Sequence, residues 1–353
     1  MQKGKVDLIG LCRPLLADPE LPNKIASERL EDIRPCMHCL ECYAPGQRAR
    51  RCRVNAAIGE WGEHDIKPAE KKKRVLIVGS GPAGMEAARV AALRGHEVLL
   101  YEREHKLGGL LSLAAMIKGT EIEDLPALIR YFKTQMSKLG VKVRLGKESD
   151  LALVEEIKPD VVILAAGGIP TVPEIPGINR HNVVSSSDLH RKAKLFLRFF
   201  GPKVLRWLTK FYLPIGKRVV IMGGLIHGCE IAELLVKRGR KVTIVETSNQ
   251  LGTGVPEAKR GRLISWLAKK GVTMLTEVTY EAITDKGLTF VREGQRETIE
   301  ADTILIAVPP RANTELFKTL EGKVPEVYVT GDCKEPRLIV DAIEDGSRIG
   351  YAI

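Results

Sequence analysis

The sequence lacks several features that mark large classes of protein. It has no run of 18 apolar residues, so it predicts no transmembrane helix. The stretch from Met1 to Asp7 lacks the apolar run of a secretory signal. Aromatic residues make up only 5% of the 353 residues, while the hydrophobic content of 44% and charged content of 28% are ordinary for a globular protein. These observations exclude wholesale disorder and predict a cytoplasmic protein of two or three domains.

Acidic residues are absent from one stretch, and this absence explains most of the net charge of +11. Between Arg191 and Arg218 there are nine Lys or Arg residues, no Asp or Glu, and six of the 17 aromatic residues of the chain. We call residues 191–217 the basic aromatic insertion. It is predicted to be a surface hairpin of two short amphipathic segments whose aromatics pack over a domain junction. A docking surface for a partner and an anionic membrane surface are the alternatives. No nucleic-acid-binding motif accompanies the charge, so nucleic acid is not expected as a partner.

Four of the seven cysteines are clustered in sequence as Cys36-x2-Cys39-x2-Cys42-x9-Cys52. Without a secretion signal, a disulfide framework is a poor interpretation in a reducing compartment. Zinc sites usually pair two Cys-x2-Cys knuckles across a longer spacer. Three thiols within seven residues and a distant fourth favour a [4Fe-4S] cluster, because one tight loop can reach three of its corners. Zinc and unliganded thiols remain alternatives, and the other three cysteines are expected to be packing residues.

A dinucleotide-binding pattern begins at the short strand Val75–Val78. The strand leads into Gly79-Ser80-Gly81-Pro82-Ala83-Gly84, a helix predicted over 85–94, and a second strand that ends at Glu102. Gly79 permits the tight turn, Gly81 lets a pyrophosphate approach the backbone, and Gly84 lets the helix pack on the strand. The N-terminus of the helix favours phosphate groups, and Glu102 is expected to accept hydrogen bonds from a ribose diol. The full strand, turn, helix, strand and acid order makes this pattern specific.

The same pattern recurs from Arg218 to Glu246, with Gly223, Gly224 and Gly228 in the turn and a helix predicted over 230–238. Leu225 replaces the middle glycine, at the place where the backbone would meet a pyrophosphate. We therefore expect either nicotinamide binding or a retained but poor site. If the site binds, Glu246 favours the free 2′-hydroxyl of NADH over the 2′-phosphate of NADPH.

Three further segments suit a flavin. Gly108 and Gly109 offer a second close approach of the backbone, and a buried strand over 161–164 ends in the small residues Ala166 and Gly167. A strand over 327–329 ends in Gly331 and Asp332, and a helix is predicted from about Ile339. Asp332 is expected to bond the ribityl chain of a flavin.

These motifs make the chain resemble the two-dinucleotide-binding flavoprotein reductases. More narrowly, the whole chain resembles the C-terminal half of the 2,4-dienoyl-CoA reductase and trimethylamine dehydrogenase family, which are old yellow enzyme-like barrels with appended dinucleotide domains. Residues 6–19 are similar to the last strand and phosphate loop of the FMN barrel. About 30 residues of barrel cannot form a (β/α)₈ barrel, which needs roughly 250. Met1 is therefore interpreted as an internal methionine, with the barrel either truncated or a separate subunit.

The resemblance implies the ligands of each group. Arg13 is expected near the FMN phosphate, and the four clustered cysteines are expected to hold [4Fe-4S]. An FAD or ADP site is implied for Gly79, Gly81, Ala83, Gly84, Glu102, Gly108, Gly109, Ala166, Gly167, Gly331 and Asp332. The chain departs from the family pattern at Cys12, at Leu225, and at Pro309-Pro310, which stiffen the return to the flavin domain.

The predicted fold class is α/β, with two Rossmann-like domains, the NAD domain being inserted into the FAD domain. The predicted limits are 1–34 for the barrel remnant, 35–70 for the cluster loop and linker, 71–190 for the first part of the FAD domain, 191–217 for the insertion, 218–308 for the NAD(H) domain and 309–353 for the second part of the FAD domain.

The predicted function is electron input from NADH through FAD and [4Fe-4S] to FMN in an absent barrel that reduces an enoyl- or dienoyl-CoA. The alternative is an ADP-holding scaffold of an amine dehydrogenase that passes electrons to an electron-transfer flavoprotein. Hydride transfer needs no protein acid or base, so no catalytic side chain is predicted. The expected partners are NAD(H) and the barrel portion or subunit, and an oligomer is compatible with the sequence.

Overall fold

Strands and helices alternate along most of the chain in the computed structural model, which describes residues 7–43, 51–58, 66–119 and 123–353. The strands are β1 (Arg74–Val78), β2 (Glu97–Glu102), β3 (Lys142–Leu145), β4 (Val161–Leu164), β5 (Val183–Val184), β6 (Arg218–Met222), β7 (Lys241–Val245), β8 (Thr273–Leu275), β9 (Thr279–Thr284), β10 (Gly287–Arg292), β11 (Gln295–Glu300), β12 (Thr303–Ile306) and β13 (Glu326–Val329).

The α-helices are α1 (Arg13–Ala17), α2 (Leu21–Ala26), α3 (Pro82–Leu93), α4 (Leu111–Lys118), α5 (Leu125–Lys138), α6 (Leu151–Ile157), α7 (Ser186–Phe199), α8 (Pro202–Leu208), α9 (Ile226–Val236), α10 (Glu257–Lys269), α11 (Glu315–Leu320) and α12 (Ile339–Ala352). Among the described residues, no helix is long and apolar enough to cross a membrane.

The first sheet is parallel, with the strand order β13-β4-β1-β2-β3. Its central strand β1 is an apolar run whose residues Val75, Leu76 and Ile77 are fully buried, as expected when helices cover both faces of a sheet. After β1 the chain goes to β2 and β3 on one side and then to β4 on the other. The crevice at the carboxyl ends of β1 and β4 is therefore the topological switch point, where ligands bind in open α/β sheets.

The second sheet repeats this arrangement, with the parallel order β5-β12-β6-β7-β8 and its switch point between β6 and β12. An antiparallel sheet of β9, β10 and β11 lies in sequence between β8 and β12. Its second hairpin turns at Glu293 and Gly294, whose φ values of 51° and 75° suit a type I′ turn. No pattern in the sequence predicts this sheet. The predicted α/β class with two Rossmann-like units is confirmed.

The helix starts differ from the predicted ones. Helix α3 begins at Pro82 rather than Met85, because proline fits the first helical position, where no N–H donor is needed. Helix α9 begins at Ile226 rather than Glu230. Helix α12 begins at Ile339, as the sequence predicts. Both glycine turns therefore lead directly into a helix N-terminus.

The segment before β1 packs into the core of the first unit. Met37, Cys39 and Val54 are buried in the same apolar cluster as β1, α3 and α5. The guanidinium of Arg51 donates to the carboxylates of Asp341 and Glu344 on α12, both at 2.7 Å. The cysteine segment is thus part of the first unit rather than a separate appendage.

Helices α7 and α8 contain most of the basic aromatic insertion and pack on α4 of the first unit. Ala193, Leu197 and Leu205 are buried in one cluster with Leu113 and Met116 of α4 and with Leu234 of α9 in the second unit. Strand β5, just before α7, pairs with β12 of the second sheet, although the predicted limits assign it to the first unit.

Candidate functional site

The glycines of the first turn have different environments. Gly79 has a φ of +105°, and a Cβ built on it would lie 2.3 Å from the carbonyl oxygen of Ala165. A Cβ on Gly84 would lie 2.0 Å from the oxygen of Gly79, so both positions need glycine for the fold itself. A Cβ on Gly81 would meet nothing within 4 Å. The space in front of Gly81, at the N-terminus of α3, is open to a ligand.

Glu102 ends β2 and holds the first turn in place. Its Oε2 atom accepts from the backbone N–H of Ser80 at 2.8 Å and from the Ser80 hydroxyl at 2.7 Å. Its Oε1 atom accepts from the N–H of Glu104 at 2.8 Å. A carboxylate has about four acceptor positions, so one remains for a ribose hydroxyl. The sequence analysis missed Ser80, whose position inside the glycine fingerprint was the available signal.

The loop before α4 closes on the same space. The N–H of Gly108 donates to the oxygen of Ser80 at 3.0 Å. A Cβ on Gly109, whose φ is +54°, would lie 3.1 Å from the Cα of Gly81. Two backbone segments therefore face the open space, as the sequence predicts for a group that needs close backbone approach.

Two more segments reach the turn from the carboxyl ends of β4 and β13. The Cα of Ala166 lies 3.2 Å from where a Cβ of Gly79 would be, and Gly167 follows with a φ of +79°. On the other side, a Cβ on Gly331 would lie 2.9 Å from the Cβ of Ala83. The predicted flavin residues from four parts of the sequence thus meet at one crevice.

Asp332 follows Gly331 at the edge of this crevice. Burial raises the pKa of its carboxyl group, and the nearby charges of Arg337 and His227 act in the opposite direction. One oxygen accepts from the backbone N–H of Arg337 at 3.2 Å. The start of α9 in the second unit lies near the C-terminal segment, because a Cβ built on Gly254 would lie 3.2 Å from the side chains of both Ile226 and Leu338.

The second turn keeps the glycines that the fold needs. A Cβ on Gly223 (φ +104°) would lie 2.7 Å from the oxygen of Ala307, and one on Gly228 would lie 1.9 Å from the oxygen of Gly223. A Cβ on Gly224 would lie 2.2 Å from the side chain of Leu251. Leu225, at the position that corresponds to Gly81, is the N-cap of α9 and is half-buried.

Glu246 mirrors Glu102. Its Oε2 atom accepts from the N–H of Gly224 at 2.5 Å, and its Oε1 atom accepts from the N–H of Ser248 at 2.8 Å. The hydroxyl of Thr247 donates to the same Oε1 atom at 3.2 Å. One acceptor position again remains, and the negative charge is fixed where the ribose of a dinucleotide would lie.

The four clustered cysteines line one small pocket that is partly open to solvent, together with Arg13 from α1. Two residues between them adopt left-handed backbone conformations, His38 with φ 54° and Leu40 with φ 67°. These conformations curl the loop, so that Cys36, Cys39 and Cys42 converge with Cys52.

The thiols influence one another. Burial raises the pKa of the Cys52 thiol, and the charges of Cys39 and Cys42 raise it further. Burial and the charges of Cys39 and Cys36 likewise raise the pKa of Cys42. No group of three or more His, Cys, Asp or Glu side chains in the described ranges is close enough to hold a single metal ion.

A buried ion-pair network lies beside the cysteine cavity, and the sequence analysis missed it. Arg53, which follows Cys52, is buried and donates to Glu41 at 2.8 Å and to Glu123 at 2.5 Å. Glu123 also pairs with Lys118 of α4 at 3.1 Å and with Lys259 of α10 at 2.9 Å. Lys118 in turn reaches Glu230 of α9 at 2.9 Å.

Burial of Glu123 would raise its pKa, but Arg53, Lys118 and Lys259 outweigh burial and lower the pKa of Glu123 to about 2. The carboxylate is therefore charged at neutral pH. It connects the cysteine segment, the first unit and the second unit.

Known proteins match this chain over nearly all of its length. The sequence profile of the pyridine nucleotide-disulphide oxidoreductases matches residues 73–346. An NADH oxidase from Thermoanaerobacter brockii is 35% identical over 363 residues, which cover 99% of this chain and 52% of that protein. A cinnamate reductase from Clostridium sporogenes (strain ATCC 7955) is 33% identical, over 96% of this chain and 49% of that protein.

Among solved structures, a 2-naphthoyl-CoA reductase in complex with 2-naphthoyl-CoA matches with a TM-score of 0.87 and 33% identity. The match covers 100% of this chain and 51% of that one. The chain thus spans about half the length of the relatives that it matches.

Proposed function

We propose a function that proceeds from one premise: this chain belongs to the pyridine nucleotide-disulphide oxidoreductase family. Membership confirms the predicted oxidoreductase class and implies binding of FAD and NAD(P)H. The resemblance to the old yellow enzyme-like reductase family is confirmed as well, since reductases about twice as long match nearly the whole chain. The residues that bind each group remain part of the proposal.

The proposed function is electron input for a larger NADH-dependent oxidoreductase. Electrons from NADH would pass through FAD and a [4Fe-4S] cluster to FMN in a barrel outside this chain, where an enoyl- or dienoyl-CoA type double bond is reduced. A flavin accepts the electron pair of a hydride and can release single electrons, which a cubane cluster carries one at a time.

The observation that carries the proposal is the position of the four cysteines. They line one cavity, and Cys39 belongs to the same buried core as β1 and α3, which form the first dinucleotide turn. The donor set is four thiols, the ligand type that holds iron–sulfur clusters. We therefore assign Cys36, Cys39, Cys42 and Cys52 as the cluster ligands.

The first unit supplies the FAD site of the proposal. The open space at Gly81 would accept the pyrophosphate, where the N-terminus of α3 favours negative charge. The remaining acceptor position of Glu102 would hold the adenosine ribose, and Asp332 would bond the ribityl chain. Burial raises the pKa of Asp332, which suits a site that excludes water.

The second unit would bind the nicotinamide cofactor. Gly223, Gly224 and Gly228 keep the shape of its turn, and the fixed charge of Glu246 favours NADH over NADPH because it repels a 2′-phosphate. Leu225 adds a side chain at the position where the first unit leaves open space. We expect weaker binding of the pyrophosphate there than an unsubstituted turn would give.

We propose that the barrel covers the N-terminal segment. Leu8, Ile9, Leu11 and Leu30 of that segment are exposed, and such apolar side chains call for a covering surface. Arg13 would lie at the FMN phosphate of the covering barrel. The names cinnamate reductase and 2-naphthoyl-CoA reductase support a conjugated acid or its CoA thioester as substrate. We propose a cytoplasmic enzyme.

The experiment is an anaerobic purification followed by cofactor analysis. We expect flavin together with about four iron atoms and about four sulfides per chain, as one [4Fe-4S] cluster requires. Addition of NADH should bleach the flavin absorbance and then produce the electron paramagnetic resonance signal of a reduced cluster. The Cys52→Ser variant should lose iron and retain flavin, and the Cys12→Ser variant, at an exposed thiol, should retain both.

Two results would reject the assignment. A protein that holds zinc or no metal would overturn the cluster. A colourless protein that releases ADP and does not react with NADH would favour the second candidate, an ADP-holding relay of an amine dehydrogenase that feeds an electron-transfer flavoprotein. Leu225 is the specific observation that favours this second candidate, since it occupies the ligand-facing position of the nicotinamide turn.

A further inference from the structure

The structure contradicts the predicted packing of the basic aromatic insertion. Its aromatic side chains do not cover a domain junction, because they lie on the outside of α7 and α8 and in the turn that follows. Eight large apolar side chains between residues 195 and 212 are 43% to 77% exposed: Leu195, Phe196, Phe199, Phe200, Val204, Trp207, Phe211 and Tyr212. We call this set the aromatic face.

The inner sides of α7 and α8, opposite the aromatic face, are buried against the rest of the protein and hydrogen-bonded to it. Ala193 and Leu197, one helical turn apart in α7, are buried against α4 and Leu234 of α9, and so is Leu205 of α8. Lys106 donates to the backbone oxygen of Leu197 at 2.6 Å. Arg206 donates to the oxygen of Met116 at 2.8 Å. Because the inner sides are anchored in this way, the aromatic face points outward from the described part of the chain.

Cations surround the aromatic face. Four exposed lysines, Lys192, Lys203, Lys210 and Lys217, have no carboxylate within ion-pairing distance among the described residues. Arg191, Lys194 and Arg198 do pair, with Asp188 and Glu104. The surplus of positive charge around the aromatics is therefore not neutralised within the described part of the chain.

We propose that the aromatic face docks on the surface of an anionic phospholipid membrane. Interfacial helices bury Trp, Phe and Leu at the boundary between headgroups and acyl chains, while Lys and Arg contact lipid phosphates. The aromatic face has this composition, and its charge complements an anionic lipid surface. The proposed docking is peripheral, because the inner sides of α7 and α8 are buried in the protein and only their outer sides are free to contact lipid.

Charge also disfavours a second copy of the chain as the occupant. A two-fold symmetric contact would place the same four lysines of each copy opposite one another, and like charges at an interface are repelled. An anionic lipid surface removes that repulsion and covers the apolar side chains at the same time.

The test is co-sedimentation of the purified protein with large vesicles. We expect the protein to pellet with vesicles of phosphatidylcholine that contain about 30% phosphatidylglycerol and to remain in solution with pure phosphatidylcholine. Salt at about 0.5 M should release most of it, since it screens charges on the protein surface. The fluorescence of Trp207 should shift to shorter wavelength on binding, and the Trp207→Phe variant should lose that shift.

Matched variants distinguish the contribution of the lysine charges to vesicle binding from that of the apolar side chains. The double variant Lys203→Glu, Lys210→Glu should bind anionic vesicles about tenfold more weakly, or weaker still. Lys318→Glu with Lys323→Glu makes the same change of charge at exposed lysines on and beside α11, and it should weaken binding far less. Phe199→Ser with Phe211→Ser should abolish the fluorescence shift while circular dichroism stays unchanged, because both side chains face outward.

Failure to bind anionic vesicles at low salt overturns the proposal. So does an equal loss of binding in the α11 control, because the binding would then report only net charge. A wild-type protein that forms a dimer through Phe199 and Phe211, without binding lipid, would assign the aromatic face to a second copy instead. None of these readouts depends on cofactor content, so they are independent of the redox function.

Discussion

The glycines of the first turn differ in what a Cβ atom at each position would contact. Gly79 and Gly84 are required by backbone contacts inside the protein, whereas Gly81 has an ordinary φ of −66° and no neighbour within 4 Å of a Cβ. A side chain at Gly81 would therefore leave the fold intact and occupy the ligand space. The two kinds of glycine can be separated by experiment.

The first prediction compares Gly81→Ala with Gly84→Ala. Gly81→Ala should change the free energy of unfolding by less than about 1 kcal/mol, because only the N-cap residue changes. It should nevertheless lower the flavin content of the purified protein. Gly84→Ala should destabilise by about 1–3 kcal/mol, because its Cβ would lie 2.0 Å from a carbonyl oxygen. Thermal unfolding and flavin absorbance measure the two effects, and a flavin-replete, stable Gly81→Ala protein would contradict this assignment of the site.

The second prediction concerns Leu225→Gly. Removing the side chain restores the close backbone approach that Gly81 gives in the first unit, so the dissociation constant for NADH should fall. The thermal midpoint should fall slightly, since a half-buried side chain is lost and glycine gains freedom in the unfolded state. Titration of NADH against the wild-type protein measures the change. Equal or weaker affinity in the variant would show that Leu225 does not obstruct the site.

At the scale of elements, α12 of the C-terminal segment packs closely on α3. Gly346 faces the backbone of Ala83, where a Cβ would lie 2.2 Å from the carbonyl oxygen. Gly350 faces Val90, with a corresponding distance of 2.7 Å. Small residues on α12 therefore set the position of α3, whose N-terminus forms the dinucleotide turn.

The third prediction sets Gly346→Ala against Gly261→Ala. Gly346→Ala should destabilise by about 1–3 kcal/mol, since the two helices must separate. Gly261 lies in α10 with no atom near a built Cβ, so Gly261→Ala should stabilise by up to about 1 kcal/mol through helix propensity. Urea denaturation measures both, and the opposite signs distinguish helix packing from helix propensity.

The elements that the sequence predicted well are those with local signals. The strand before Gly79, the turn and Glu102 were predictable because alternating strand and helix patterns and the glycine spacing are contained in about 30 residues. The sheet of β9, β10 and β11 was not predicted, since its polar outer strand β11 is exposed and carries little hydrophobic pattern. The contact of Ser80 with Glu102 joins residues 22 positions apart, and that of Arg53 with Glu123 joins residues 70 positions apart. No sequence periodicity indicates contacts at such separations.

At the scale of the whole molecule, the network around Glu123 joins parts that are far apart in sequence. Its carboxylate pairs with Arg53 beside the cysteine cavity and with Lys259 of the second unit. A buried charge that loses its partner lowers the free energy of unfolding. The Glu123 ion pairs therefore stabilise the cysteine segment, the first unit and the second unit together. Because the charged carboxylate of Glu123 joins these parts, its protonation should lower the free energy of unfolding of the whole protein.

The fourth prediction follows from its lowered pKa. The pKa of Glu123 is about 2 in the folded protein, below the ordinary value of 4.5. Its contribution is therefore fully present above pH about 4.5 and is lost as the pH falls towards 2. Glu123→Gln should destabilise by about 3–5 kcal/mol at pH 7, because it leaves buried cations with fewer partners. The difference from wild type should narrow as the pH falls below 4.5.

The matched control is Glu233→Gln, which removes an ion pair with Lys237 one helical turn away. We expect it to change the free energy of unfolding by no more than about 0.5 kcal/mol. Chemical denaturation of the three proteins between pH 3 and pH 7 measures the comparison. A gap between wild type and Glu123→Gln that stays constant with pH would contradict the role of the Glu123 charge.

The unequal constraints on the two turns have an evolutionary consequence. Replacing a glycine that the backbone requires damages the fold, so selection for stability alone can retain it. The ligand-facing position, occupied by Gly81 in one unit and by Leu225 in the other, affects stability only slightly and is therefore weakly constrained by that selection. A lineage can therefore drift between cofactor use and a silent site by one substitution, without passing through an unfolded ancestor.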